Sequence, residues 1–259
     1  MLRSMVLRAL LHFSEGAIST GTFNREFYIR HGIDPRRIYS GVCPADTETF
    51  GNARIDSSSV GSPTAQPLRI GFAGKLVARK GVDELLHATA LLPRNCDWSV
   101  IVVGDGPQMP ELQALVAQLN LDDRVTFYGF ANTTEMPKLL AGFDVVVVPS
   151  RLDMRTLITI EAMAAGAAIV VSDATAVWGP GDLVEHEVTG LVYPSGDVSA
   201  LSSELRRLIA DRALLMRLRR CGAERVTAYG PDAFARTVAS AVRLASQSHA
   251  PTVDIGRKL

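Results

Sequence analysis

The strongest constraint on this chain is an alternation that begins near residue 67. Six short apolar runs, LRIGFAG (68–74), WSVIVVG (98–104), RVTFYG (124–129), DVVVVPS (144–150), AAIVVSD (167–173) and GLVYP (190–194), are interleaved with longer polar and apolar stretches. Runs this short and this continuously apolar suit strands buried on both faces. The stretches GVDELLHATALL (81–92), MPELQALVAQLN (109–120) and VSALSSELRRLIAD (198–211) carry apolar residues at spacings of three and four, which predicts helices. Strand and helix in alternation predict an α/β fold with a doubly wound parallel sheet and helices on both faces. Ligands of such sheets gather at the carboxyl ends of the strands, in the crevice where strand order reverses. The residues just after each strand are therefore the first candidates for function.

Upstream of this region, GNARIDSSSVGSPTAQP (51–67) is rich in Ser, Gly and Pro without apolar periodicity and reads as a linker. The first 50 residues offer a helix at the start, a strand at GAIST, a helix at TFNREFYIRHG and a strand near RIYSGV, too little for a solid core of their own. The sheet domain spans 68–228, and 229–259 reads as a last helix followed by a frayed tail.

Composition removes several functions. With 47% hydrophobic and 21% charged residues in a chain of 259, the protein is globular. The 27 Lys and Arg balance the 27 Asp and Glu, so no net field draws it to nucleic acid or an anionic membrane, and any anion site must be local. Cys43, Cys96 and Cys221 lie far apart without C-x-x-C spacing, which points to a reducing, cytoplasmic setting and away from zinc or a disulfide framework. No apolar run reaches the ~18 residues of a membrane span. The opening MLRSMVLRALLHF reads as an amphipathic helix, because no small-residue cleavage site follows it. Arg206, Arg207, Arg212, Arg217, Arg219, Arg220 and Arg225 crowd one helical region. They read as a solvated face; the alternative, a peripheral membrane contact, finds no aromatic face to accompany it. His12, His31, His87, His186 and His249 are scattered, and no His, Asp and Glu cluster is spaced for a metal.

Three stretches carry chemistry. In GFAGKLVARKG, Gly74 and Lys75 leave the first strand and Lys80 precedes a helix. Glycine allows close backbone approach and two ammonium groups offer positive charge, so the turn is either a phosphate cradle or a pair of solvated lysines. It is not a Walker A loop, since Leu76 follows the lysine. In VVGDGPQMPEL, Gly104 and Gly106 begin a dinucleotide fingerprint, but Met109 stands at its third glycine, and a tight turn explains the pair equally well. In PSRLDMRTLITIEAMAAG, Asp153 lies in the loop after a strand and Glu161 within the following helix, which starts near Thr156, a residue able to cap it. A carboxylate between Ile160 and Met163 is costly to bury unless bonded. Helix amides for a phosphate and two carboxylates for polyol hydroxyls together describe a nucleotide-sugar site; a structural helix with one capped Glu is the plainer reading.

The order FAGKLVARKG, VVGDGP, VTFYGF, DVVVVPSRLDMRTLITIEAMAAGAAIVVSD and LVEHEVTGLVYPSGD resembles the donor-binding half of the retaining GT-B glycosyltransferases of family 4, the glycosyl transferases group 1, over about residues 67 to 228. That resemblance implies a Rossmann-like C-terminal GT-B domain and transfer of a glycosyl group from a UDP- or GDP-sugar to a saccharide or lipid-linked acceptor, with retention and without a cofactor. The family's Glu-x7-Glu pair stands here as Asp153 and Glu161, which implies that Glu161 holds the ribose and Asp153 faces hydroxyls of the donor sugar. The family's Arg and Lys on the diphosphate stand as Lys75 and Lys80. By the same resemblance Gly74 and Gly104 border the donor, Phe130 lies near the base, and the amides of Arg155, Thr156 and Leu157 approach phosphate and sugar. Three positions depart from the family: Asp153 is one methylene shorter than Glu, Thr156 replaces Gly, and Lys75 lacks the planar fork of Arg. The first 50 residues resemble the tail of the family's N-terminal domain, which implies an acceptor half elsewhere, in upstream sequence or on a separate chain. The alternative reading is a non-catalytic nucleotide-sugar binding module. Nicotinamide binding by a dehydrogenase is the third reading, and Met109 argues against it.

Overall fold

The computed structural model describes residues 2–41, 44–57, 67–154 and 156–247. In chain order the elements are α1 (Leu2–His12), β1 (Ala17–Ser19), α2 (Thr22–Arg30), β2 (Ile38–Ser40), α3 (Thr47–Ser57), β3 (Leu68–Ala73), α4 (Val82–Ala90), β4 (Trp98–Val103), α5 (Met109–Gln118) and β5 (Val125–Gly129). They continue with α6 (Met136–Ala141), β6 (Val145–Val148), α7 (Leu157–Ala164), β7 (Ala168–Ser172), β8 (Leu191–Tyr193), α8 (Val198–Ala210), α9 (Arg212–Val226) and α10 (Pro231–Gln247). The chain divides into two compact units, residues 1–44 with 231–259, and residues 45–230.

In the larger unit, β3 to β8 form one parallel sheet in the order β5-β4-β3-β6-β7-β8. Each strand falls where an apolar run predicts it. The sheet grows outward from β3 in one direction through β4 and β5, then in the other through β6, β7 and β8. This is the Rossmann-like order, and its switch point lies between β3 and β6. Every residue of β6 and β7 is buried, which is why these runs show no alternation. At the amino ends of the strands, the Asp144 carboxylate accepts from the Arg69 amide at 2.9 Å and from the Arg69 and Arg219 guanidinium groups, tying β3, β6 and α9 together. Asp197 caps α8 by accepting from the Ala200 amide, and Asp211 caps α9 by accepting from the Leu214 amide, so the two helices are separated by one residue.

The sequence reading differs from the structure at two places away from the site. Gly51–Ser57, read as the start of a linker, completes α3. The Asp46 carboxylate starts that helix by accepting from the Thr49 amide at 3.0 Å, and Phe50 is buried, so the helix is anchored before it meets Gly51. The rest of the expected linker, 58–66, and Cys43 lie outside the described residues. Arg206, Arg207, Arg217 and Arg220 of α8 and α9 are exposed, as a solvated face requires, but the arginines of this region also make bonds that the sequence reading did not foresee. Arg217 donates to the Glu187 carbonyl, Arg219 to the Gly166 carbonyl and Arg225 to the Asp182 carbonyl, while Arg207 pairs with Glu187 and Glu204. They close loop and helix ends whose carbonyls would otherwise lack donors. Among the described residues no helix is long and apolar enough to cross a membrane.

In the smaller unit, β1 and β2 pair in parallel, Ala17 to Ile38 through Ser19 to Ser40, beside α1, α2 and α10. A 3₁₀ turn at Pro35–Arg37 leads into β2. Hydrogen bonds from the Arg36 side chain and amide hold the Asp34 carboxyl down at about 2.

Candidate functional site

The switch point sets the loops after β3 and β6 side by side, and most of the predicted residues stand on them. Contact between the loops begins with backbone. Gly81 has φ 67° and lies so close to the Pro149 carbonyl oxygen that a Cβ would overlap it. The loop after β4 joins in the same way, since a Cβ on Gly104 would overlap the Gly74 carbonyl and one on Gly106 the Leu76 carbonyl. The Gly74 amide donates to Val103 at 3.0 Å and the Leu76 amide to Asp105 at 2.9 Å. Loop-on-loop packing thus accounts for the partial G-x-G without a dinucleotide.

On this frame two of the predicted residues meet. Lys80 ends the 3₁₀ turn Ala78–Lys80, and its Nζ donates to Asp153 Oδ2 at 2.5 Å. The two side chains are only 17% and 7% exposed, so the pair is shielded and removing either member would leave a buried charge uncompensated. Asp153 is held by its own backbone as well. Its amide donates to Ala174 and its carbonyl accepts from Ala176 at 2.9 Å, which docks the loop after β6 onto the segment after β7. Behind the carboxylate runs a series of hydroxyls that sequence reasoning missed. Ser150 Oγ lies 3.5 Å from Asp153 Oδ2, Ser172 Oγ donates to the Ser150 carbonyl at 2.5 Å, and Thr175 Oγ1 donates to the Ser172 carbonyl at 2.8 Å. The only signal for them was a Ser at each strand end, in VPS and VSD.

The remaining predicted residues follow β3, β4 and β5 or belong to α7 and the turn before it. Lys75 is exposed, and its ammonium makes no bond among the described residues. Phe130 follows β5 and is 75% exposed, a large apolar ring left open to solvent at the carboxyl edge of the sheet. Glu161, in the second turn of α7, is half-buried; among the described residues it has no side-chain partner, and burial pushes its carboxyl up from the usual 4.5. Thr156 immediately precedes α7 as expected, but its hydroxyl makes no capping bond, and among the described residues it is buried without a partner, as is the hydroxyl of Thr159. Leu157, the first helical residue, is exposed, and Arg155 lies outside the described residues. Among the described residues no group of three or more His, Cys, Asp or Glu is gathered to hold a metal. The arrangement offers a cation with its counter-ion, a helix start and a half-buried carboxylate.

Such an edge belongs to the nucleotide-binding class of parallel α/β domains, and comparison with known proteins gives the family. The model of the glycosyl transferases group 1 matches residues 54–225, well over half of the chain. The chain belongs to that family. The 2-deoxystreptamine glucosyltransferase of Streptomyces kanamyceticus is 32% identical over 193 residues, covering 74% of this chain and 47% of the relative. The GDP-mannose-dependent alpha-(1-6)-phosphatidylinositol monomannoside mannosyltransferase of Mycobacterium tuberculosis is 32% identical over 162 residues, 60% of this chain and 41% of the relative. The chain therefore spans less than half the length of these relatives. Among solved structures, Anabaena HepE in complex with UDP superposes with a TM-score of 0.77 at 21% identity, covering 93% of this chain and 68% of that one. Sucrose-phosphate synthase from Thermosynechococcus elongatus superposes with a TM-score of 0.75 at 28% identity, covering 95% and 62%.

Proposed function

We propose that this chain supplies the donor site of a retaining family 4 glycosyltransferase, binding a nucleoside-diphosphate sugar at the carboxyl edge of β3 and β6. The observation that carries the reading is the shielded Lys80–Asp153 pair at the switch point, followed along the chain by α7 with its half-buried Glu161, which has no side-chain partner among the described residues. Glu161 accepts from the ribose hydroxyls, which supplies its half-buried carboxylate with donors. Lys80, Lys75 and the amides at the start of α7 face the diphosphate, and Phe130 packs against the base. As the bond from the anomeric carbon to the phosphate oxygen breaks, negative charge grows on the departing diphosphate, and these fixed cations and amides stabilise it where it develops. Asp153 is shared between Lys80 and a hydroxyl of the donor sugar, so it sets the lysine and orients the sugar together. HepE was solved with UDP and the mycobacterial relative is GDP-mannose-dependent, which supports a UDP- or GDP-sugar as donor and a saccharide or lipid-linked acceptor.

Calorimetric titration with UDP, GDP, ADP and NAD tests the reading. One nucleoside diphosphate should bind, and Lys80→Ala and Glu161→Ala should each weaken it about tenfold or more. Binding of NAD alone, or of a nucleotide indifferent to both substitutions, would overturn it.

A further inference from the structure

The Lys80–Asp153 pair is one half of a reciprocal connection; the other half is Arg151, two residues before Asp153. Its amide donates to the Arg79 carbonyl at 2.8 Å, its Nη1 to the Ala78 carbonyl at 2.6 Å and its Nη2 to Asp83 Oδ2 at 2.6 Å. All three bonds end in residues 78–83, the segment that contains Lys80. The acceptors lie on both sides of it, two carbonyls in the 3₁₀ turn and a carboxylate in the first turn of α4. The second Asp83 oxygen is buried without a partner, so Arg151 is the side chain that answers this carboxylate among the described residues, and the ion pair keeps its guanidinium firmly charged.

We infer that Arg151 is a positioning residue: it clamps the Ala78–Asp83 segment so that Lys80 is delivered to Asp153 and to the donor diphosphate. This rests on the reading of Lys80 as a diphosphate ligand. A guanidinium is suited to the task because its planar fork reaches a carbonyl and a carboxylate at once, which a lysine ammonium at the end of a flexible stem does not reproduce. The clamp contributes little to overall stability. Arg151 and Asp83 are 41% and 34% exposed at their side chains, in the range where an ion pair adds at most a small increment. A lysine ammonium, in contrast, stabilises a developing charge only where it is held, and small misplacements of catalytic groups are costly in rate.

Two measurements on the full chain test the inference. The first is a double-mutant cycle on UDP affinity with Lys80→Ala, Arg151→Met and their combination, with Arg151→Lys and Asp83→Asn alongside. Arg151→Met should weaken UDP by about tenfold, Arg151→Lys should fail to restore it, and Asp83→Asn should act in the same direction. The double variant should bind no more weakly than Lys80→Ala, because nothing remains to be positioned. Multiplying losses would overturn the inference and leave the donor site standing; an inert Lys80→Ala would overturn both. The second measurement needs no nucleotide. Acylation of Lys80 by a small N-hydroxysuccinimide ester, followed by peptide mass mapping, should speed up several-fold in Arg151→Met as the pair with Asp153 loosens. An unchanged rate at Lys80 would overturn the clamp even if UDP affinity had fallen.

Discussion

The two compact units differ most in how much apolar surface they bury. Residues 45–230 hold a continuous core from Leu68 through Leu218, with β6 and β7 buried on both faces. The smaller unit contributes Ile33, Ile38 and Ala241 as its buried apolar residues among those described, while Val6, Leu10, Phe13, Phe23 and Phe27 stand exposed. Its sheet is two parallel strands of three residues each, below what normally stands alone in water. Charge divides the same way. Residues 1–44 with 231–259 carry ten Lys and Arg against five Asp and Glu, whereas 45–230 carry 17 against 22. The neutral total from which the composition argument started is a sum of opposite halves, so it hides a basic unit instead of demonstrating the lack of one. The contrast teaches that the fold and the proposed donor site draw on the same core.

Core truncation should expose the contrast most strongly. Leu86 in α4 is fully buried, and Leu86→Ala should cost about 2–5 kcal/mol, the transfer term plus a cavity. Phe13 is 85% exposed, and Phe13→Ala should change stability by less than about 0.5 kcal/mol. Both tryptophans, Trp98 and Trp178, lie in the larger unit, so urea melts followed by fluorescence report on it alone and far-UV circular dichroism on the whole chain. Equal losses for the two substitutions would refute the division.

A single added methyl group comes next. Gly81→Ala requires a left-handed backbone from a residue that resists it and drives a Cβ into the Pro149 carbonyl. We expect a loss of about 2 kcal/mol and a larger proportional loss of UDP affinity than any substitution in α1 or α2 produces. Affinity unchanged by Gly81→Ala would mean that the two loops need not meet for the site to form.

How far such positions could be read beforehand depended on range. The six strands were legible because their apolar runs are a property of the strand itself, and the alternation that produces the switch point is written along the chain. Gly104 was legible as a glycine in a turn and Gly81 only as the start of a helical stretch, and neither as a contact, because the carbonyls they meet belong to loops 30 and 68 residues away. The Lys80–Asp153 pair was assembled from two separate expectations, one for phosphate and one for sugar. Neither foresaw that the residues would bind each other, since that depends on β3 neighbouring β6. Arg151, Ser172 and Thr175 left little trace in the sequence, because a side chain that spends donors on backbone carbonyls can be recognised only when those carbonyls are in place.

Excision is a gentler test. The segment 45–230 produced alone should fold and keep UDP affinity within about twofold of the full chain, since it carries its own core and every predicted site residue. Calorimetry on both proteins checks this. A loss well beyond that factor would assign the smaller unit a part in donor binding and erase the contrast.

The smallest effect concerns Glu161 and has a defined sign. Its carboxyl is raised in the folded protein by burial, so folding favours the protonated form. Relative to a neutral side chain, the ionised carboxylate lowers stability above its folded value, and the penalty disappears as pH falls below the ordinary 4.5. Glu161→Gln should therefore be more stable than the parent at pH 7.5 by less than about 1 kcal/mol, with the advantage fading toward pH 4.5. With UDP present the order should reverse at pH 7.5, because ribose hydroxyls donate to the carboxylate more strongly than to an amide oxygen. Thermal melts at both pH values, with and without UDP, measure all four cases. A variant less stable than the parent in the absence of nucleotide would mean that Glu161 is a structural group already satisfied in the fold, and the ribose would have to be held elsewhere. The predicted reversal would instead mark it as a carboxylate maintained at a cost to the fold for the ligand it receives.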